Sequence, residues 1–183
     1  MNKNIELEYK SLLTKEQFDH IKSLFAFSEP FKQVNHYFDT KDKQMKERRS
    51  PLRIREVDNK LIMTIKTPNK IGVNEFECEV ESLDFSSNKI SNDILQAMYP
   101  VTPNEVYEFG SLTTYRRTFE TELATICLDE NFYADCHDYE IEYEVKKEHN
   151  SLDTFKKIMA KCGIPSPRPA KGKTARFRDA IKF

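Results

Sequence analysis

The sequence predicts an α+β fold in which antiparallel strands close into an eight-stranded β-barrel. Three observations lead there. Eight segments alternate apolar and polar residues at period two, most of them joined by short connections. Helical patterns interrupt the series at only a few places, which favours adjacent antiparallel strands over βαβ crossovers. The polar faces of several strands are charged in same-sign blocks, which a merely wet sheet face does not require.

The strands come in order. IELEYK (5–10), VNHYFDT (34–40), LRIREV (52–57), KLIMTIKT (60–67) and NEFECEVESL (74–83) form a first group. SLTTYRRTFET (111–121), ATICLD (124–129) and YEIEYEVK (139–146) form a second. Thr14 and Gln17 have the spacing of a capping box, and Phe18, Ile21, Leu24 and Phe25 follow at helical spacing. Ser151 is placed to cap a second helix with the apolar stripe Leu152, Phe155, Ile158 and Met159, ending near Gly163–Ile164–Pro165. A shorter helix is expected at 91–99, closed by Pro100, and another from Lys173 towards Phe183. PSPRPAKGK (165–173) is a local loop, and no repeat, low-complexity tract or linker divides the chain. A single domain over 1–183 is expected.

Composition narrows the class. A chain of 183 residues can bury roughly 70% of its unfolded surface. Apolar residues are 38% and charged residues 32%, a polar balance, yet 13 Phe and 8 Tyr supply the large apolar area that disorder lacks. The 29 basic and 30 acidic side chains leave a net charge of −1. No global field therefore draws the protein to nucleic acid or to a membrane surface. The four cysteines include no C-x-x-C pair, so neither a zinc site nor a redox motif is indicated. With no apolar leader and no long apolar run, a cytoplasmic protein is expected, monomeric or homodimeric.

The charges decide what the barrel is for. Glu6, Glu8 and Lys10 share one face of their strand, as do Arg53 and Arg55, and Thr64 and Lys66. Glu75, Glu77, Glu79 and Glu81 share another, as do Glu140, Glu142 and Glu144. Any one such face is adequately explained by solvent. Blocks of like charge about 7 Å apart repel, however. A closed sheet with its charged faces inward relieves this, because opposing blocks neutralise each other across the lumen. Eight strands enclose about one small ligand. Clustered Arg and Lys suit phosphate oxygens, and clustered carboxylates suit a hard divalent cation. Together they describe a metal–polyphosphate site, whose natural chemistry is phosphoryl transfer.

E-L-E-Y-K at 6–10 resembles the E-x-E-x-K signature of the CYTH superfamily, the triphosphate tunnel metalloenzymes. The ordered series Y-F-D-T (37–40), L-R-I-R (52–55), T-I-K (64–66), Y-R-R-T (115–118), L-D (128–129), E-I-E-Y-E (140–144) and G-K-T-A-R-F (172–177) extends the resemblance over nearly the whole chain. It is most similar to small Firmicutes-type single-domain members labelled adenylate cyclases. The resemblance implies a closed tunnel that cleaves small triphosphates with Mg²⁺ or Mn²⁺. It makes Glu6, Glu8, Asp129, Glu140, Glu142 and Glu144 metal-side carboxylates. Lys10, Arg53, Arg55, Lys66, Arg117 and Lys173 become triphosphate ligands, with Glu140, Glu142, Arg55 and Lys66 closest to the catalytic work. Glu77 and Glu79 would line the tunnel and orient the bases. Two choices are made by register against the family: Arg117 over Arg116, and Lys173 over Lys171. Arg176 is then read as an anchor of the last helix.

Other candidates have blander readings. His36 and His137 lack a nucleophile at recognisable spacing, and Cys78 lies on the apolar side of its strand. Asp39 suits a strand-end turn. Only 4 Gly, with no glycine-rich phosphate loop, exclude a P-loop NTPase. The leading expectation is a triphosphatase preferring inorganic triphosphate. A class IV-type adenylate cyclase and a thiamine triphosphatase are the enzymatic alternatives. A non-catalytic polyphosphate-binding module is the alternative of another class, and it leaves the carboxylates without a purpose.

Overall fold

The computed structural model describes residues 2–70, 72–80, 89–90 and 105–183. Among them the first strands are β1 (Asn2–Glu6), β2 (Glu8–Leu13), β3 (Phe31–Asp39), β4 (Leu52–Val57), β5 (Lys60–Pro68) and β6 (Val73–Val80). Then come β7 (Lys89–Ile90), β8 (Val106–Glu120), β9 (Ala124–Tyr133), β10 (Cys136–Val145) and β11 (Arg168–Pro169). The helices are α1 (Lys15–Leu24), α2 (Gln44–Glu47), α3 (Ser151–Lys161) and α4 (Lys173–Ala180). The helix expected at 91–99 and the end of the strand expected at 74–83 lie outside the described residues.

The expected α+β class with antiparallel strands is present. The elements gather into two compact units, Met1–Glu6 with Gln33–Leu112 and Phe183, and Leu7–Lys32 with Thr113–Lys182. In the first unit the strands run in the order β1-β6-β5-β4-β3, and β7 pairs with β8. In the second the order is β8-β9-β10-β2-β11.

The strand count differs from the expected eight for identifiable reasons. IELEYK is not one strand. The chain changes partner at Leu7, so that Asn2–Glu6 pairs with β6 and Glu8–Leu13 with β10. The Leu7 carbonyl accepts the Val145 amide at 3.0 Å. The other two additions are the two-residue strands β7 and β11, too short to show a period.

Local chemistry explains the punctuation. Thr14 Oγ1 accepts the Gln17 amide, and Gln17 Oε1 accepts the Thr14 amide, completing the capping box of α1. The cap of α3 is Asn150 rather than Ser151, whose hydroxyl instead lies 3.2 Å from that of Tyr9. Gly163, at φ +76°, ends α3. Its amide bonds the Ala160 carbonyl while the Ile164 amide reaches Met159, the paired bonds of a Schellman close. Asp58 and Asn59 both have positive φ, as a two-residue type I′ hairpin between β4 and β5 requires.

Each unit has its own core. In the second, Leu13, Ile126, Leu128, Ile141 and Tyr143 pack against Phe18 and Ile21 of α1 and Phe155 and Met159 of α3. Leu24, expected in the α1 stripe, is exposed. In the first, Leu52, Ile54, Met63 and Ile65 pack with Phe38, Met45 and Val106, and Cys78 joins them. Each buried Leu, Ile or Met contributes roughly 1.5–3 kcal/mol. With the apolar parity spent on these cores, the opposite parity of the same strands carries the charges.

Candidate active site

Register builds the site in the second unit. The β8–β9 ladder sets Arg116 opposite Asp129, and β9–β10 sets Asp129 opposite Glu140. The β10–β2 ladder sets Glu142 opposite Lys10 and Glu144 opposite Glu8. These side chains share the strand face away from the apolar core. Asp129 and Glu140 are 0% exposed and Glu142 is 4% exposed. Lys173, the first residue of α4, reaches the same place. Its Nζ lies 2.8 Å from a carboxylate oxygen of each of Asp129, Glu140 and Glu142.

A second cation holds the cluster from the β8 side. The Arg116 guanidinium donates Nε and Nη2 to Asp129 at 2.8 Å each, and Nη1 to Glu144 at 3.0 Å. Its Nη2 also meets Glu142. Lys10 lies 2.5 Å from Glu8 and 3.3 Å from Glu142. Arg176, one turn along α4 from Lys173, bonds Asp138 and Glu140 at 3.0 and 2.9 Å.

Burial alone would push these groups towards neutrality, and neighbouring charge overrides it. Burial raises the Glu142 carboxyl, but Lys173, Lys10 and Arg116 together hold it well below the usual carboxylate range. Asp129 is likewise lowered against its burial by Arg116 and Lys173. Lys173 and Lys10 lose to burial less than the facing carboxylates return, so both are held above the ordinary ammonium range. Cys127 shares the face and donates to Glu144 at 3.5 Å, yet burial, with Arg116 opposing, keeps it a thiol.

The donor set fits a divalent cation. Ligand atoms of Asp129, Glu140 and Glu142 lie within 4.8 Å of one another, as do those of Cys127, Glu142 and Glu144. Hard carboxylate oxygens converging on one centre are what Mg²⁺ or Mn²⁺ requires. The Lys173 ammonium, equidistant from three carboxylates, marks that centre as cation-sized. The charge balance agrees. Lys10, Arg116, Lys173 and Arg176 face Glu8, Asp129, Asp138, Glu140, Glu142 and Glu144, four positive charges against six negative.

The first unit presents a different face. Lys66 meets Glu6 and lies 3.3 Å from Glu75, which is 3.8 Å from Arg53. Thr64 donates to Glu77 at 3.1 Å, and Arg55 donates to Asn35 at 3.2 Å. Arg53 Nε is buried and finds no hydrogen-bond partner among the described residues. An orphaned guanidinium N–H beside a lysine is a ready donor for an anion. Asp39, also buried here, accepts the amides of Thr40, Met45 and Lys46 and so secures the start of α2.

The expected site residues therefore divide. Lys10, Glu8, Asp129, Glu140, Glu142, Glu144 and Lys173 come together in the second unit, whereas Glu6, Arg53, Arg55, Lys66 and Glu77 lie in the first. Glu79 is exposed and pairs with Lys60 at 3.1 Å. Neither cation-sized group includes Glu6 or Glu8. Arg117 is a correction. It lies on the opposite parity, bonded to the Ser28 carbonyl at 3.2 Å, and Arg116 takes the place in the cluster. A signal for this was present, because Tyr115 and Phe119 share the parity of Arg117 and Phe119 packs against the apolar core. Lys171 pairs with Asp179 at 2.7 Å in the open, which leaves Lys173 at the cluster. Sequence reasoning weighed Arg116 and preferred its neighbour, and it missed Cys127 and Asp138 as members of this face. His36 pairs with Glu108 in the first unit and His137 with Glu130 in the second, both at 2.9 Å.

The chain is similar to known proteins in sequence and fold. Residues 4–174 match the family model described as the CYTH domain. The Bacillus subtilis (strain 168) protein named "Putative triphosphatase YjbK" is 34% identical over 97% of this chain and 96% of its own length. A crystal structure from Bacillus halodurans, named a "putative adenylate cyclase", superposes with a TM-score of 0.86 at 33% identity, covering 97% of this chain and 99% of that one. HpAC1 from Hippeastrum, named a "putative adenylyl cyclase" and described as having a dominant triphosphatase activity, shares the fold with a TM-score of 0.78 at 23% identity, over 96% of each chain. The chain belongs to the CYTH domain family.

Proposed function

We propose that this protein is a divalent-metal-dependent triphosphatase of the cytoplasm, acting on a small triphosphate, inorganic triphosphate foremost. The observation that carries the reading is the buried convergence of Asp129, Glu140 and Glu142 on one cation-sized centre. The name of the 34%-identical relative supports the same activity. Both units are read as parts of one CYTH domain, and the closed eight-stranded tunnel implied by the family is the proposed frame.

In this reading Asp129, Glu140, Glu142 and Glu144 hold Mg²⁺ or Mn²⁺, and Glu6 and Glu8 contribute at the metal side. The bound metal supplies charge neutralisation at the phosphate oxygens and a more acidic water. Arg53, Arg55 and Lys66 grip the phosphates, with Arg53 Nε the donor in want of an acceptor. Lys173, Lys10 and Arg116 hold Glu142 in its ionised form. A carboxylate held so far below its usual range is a poor proton acceptor and a good cation ligand. Glu142 is read as a ligand, and Glu140, buried in the same cluster, is read as orienting the attacking water. Positioning and charge supply most of the catalysis in such a transfer, so a strong base is not required.

A second reading, adenylate cyclase, is favoured by the name of the 33%-identical Bacillus halodurans structure. The two separate in one assay. Inorganic triphosphate, ATP and thiamine triphosphate are offered with Mg²⁺ or Mn²⁺, and phosphate and cyclic AMP are both scored. Phosphate release, fastest from inorganic triphosphate, is the expected result. Cyclic AMP as the main product overturns it, and binding without turnover of any substrate supports a polyphosphate-binding module.

A further inference from the structure

We propose that Lys173 is a resident counter-ion that a divalent metal must displace from the cluster before the site can work. The inference rests on reading Asp129, Glu140 and Glu142 as the metal site. The three carboxylate oxygens each lie 2.8 Å from Lys173 Nζ, so the ammonium stands at the point on which the metal's ligands converge. An ammonium and a metal ion cannot share that point.

The local structure allows the exchange. Lys173 opens α4 directly after Gly172, at which an added Cβ would meet nothing within 4 Å. Arg176, one turn further, bonds Asp138 and Glu140 and takes its own support from the Lys171 carbonyl at 2.6 Å. The helix has two cations on one side. Arg176 keeps α4 against β10, while Lys173, on an unbranched four-carbon stem, can swing without undocking the helix.

Two consequences follow. The metal-free protein gains stability from Lys173, because without it three buried carboxylates face one another with less compensation. Metal affinity is reduced by the same contact, since only the fraction of molecules with the ammonium withdrawn can take the ion. A displaced ammonium seeks an anion, so a triphosphate that receives it strengthens metal binding. Lys173 therefore couples the two ligands: metal releases the phosphate-binding group, and phosphate holds that group away from the metal site.

The test is Lys173→Met, which keeps the stem and removes the charge. Isothermal titration of Mn²⁺ without any triphosphate is expected to show binding about tenfold or more tighter than wild type. In thermal melts with chelator the variant melts lower than wild type, and Mn²⁺ raises its melting temperature by more. Equal or weaker Mn²⁺ binding by a folded variant overturns the proposal while leaving the metal site intact. No Mn²⁺ binding by either protein overturns the metal site itself. Should the variant not fold, amine labelling of wild type read by mass spectrometry decides. Lys173 is expected to be protected in metal-free protein, to react with Mn²⁺ present, and to be protected again when inorganic triphosphate is added with Ca²⁺. Protection unchanged by Mn²⁺ overturns the proposal.

Discussion

The charged faces of the two units are built from the same residue types and differ in how they are paired. In the second unit the carboxylates outnumber the bases, and the three at the centre, Asp129, Glu140 and Glu142, are buried and gripped at 2.8 Å by Lys173, with Arg116 at the same distance from Asp129. In the first unit Arg53 and Lys66 are about one-fifth exposed, and Arg53 sits 3.8 Å from its carboxylate with a buried N–H that meets no partner among the described residues. A crowded, acid-rich pocket is suited to a small hard cation. A looser array of bases is suited to an anion that arrives with its own oxygens. In the proposed function the difference corresponds to a metal-binding role for the second unit's face and a phosphate-binding role for the first unit's.

Substitutions sharpen that contrast, and the largest effect is expected at Arg116. Arg116→Ala takes from buried Asp129 its main partner and from buried Glu142 one of three cations, and should destabilise the protein by about 3–5 kcal/mol in denaturant melts. Arg53→Ala, by comparison, should leave the melt within about 1 kcal/mol of wild type and act on catalysis instead. Its kcat/KM for inorganic triphosphate should fall about 100-fold, with KM raised and kcat lowered together. Equal stability losses at the two arginines would erase the distinction between the surfaces.

The pH dependence of metal-free protein follows the second unit. Asp129 and Glu142 have folded-state values below their unfolded ones. Their contribution is present above the unfolded carboxylate range, near pH 4, and is lost as pH falls through the folded values. Lys10 and Lys173 are shifted upwards, so their contribution is full below the ordinary lysine range and fades only in strong alkali. A plateau across neutral pH with a steep acid limb is the expected melting profile in chelator. A loss of stability already near pH 6 would contradict it. The smallest effect belongs to Arg117→Ala. Its guanidinium meets a loop carbonyl and the exposed Glu29, and both stability and turnover should stay near wild type.

Much of this was legible in the sequence, and the exceptions have physical causes. Period-two alternation located eight strands, because one parity is buried in an apolar core and the other is charged. The capping box at Thr14 and the close at Gly163 are local chemistry and were readable as such. Alternation says nothing about where a strand changes partner, so the break at Leu7 was invisible within IELEYK. It separates Glu6, which meets Lys66, from Glu8, which meets Lys10. Arg116 and Arg117 are chemically alike, and only the aromatic company of Arg117 tells the faces apart. Cys127 reads as one more apolar residue in ATICLD, and its place between Glu142 and Thr118 emerges only from cross-strand register.

The acid cluster of the second unit is proposed as a metal site serving triphosphate hydrolysis. Its most direct test is Glu142→Gln, assayed for Mn²⁺ binding by calorimetry and for Mn²⁺-dependent phosphate release from inorganic triphosphate, with circular dichroism to verify the fold. A folded variant that binds Mn²⁺ far more weakly and hydrolyses about 1,000-fold more slowly is the predicted result. A folded variant with wild-type Mn²⁺ affinity and turnover would contradict it.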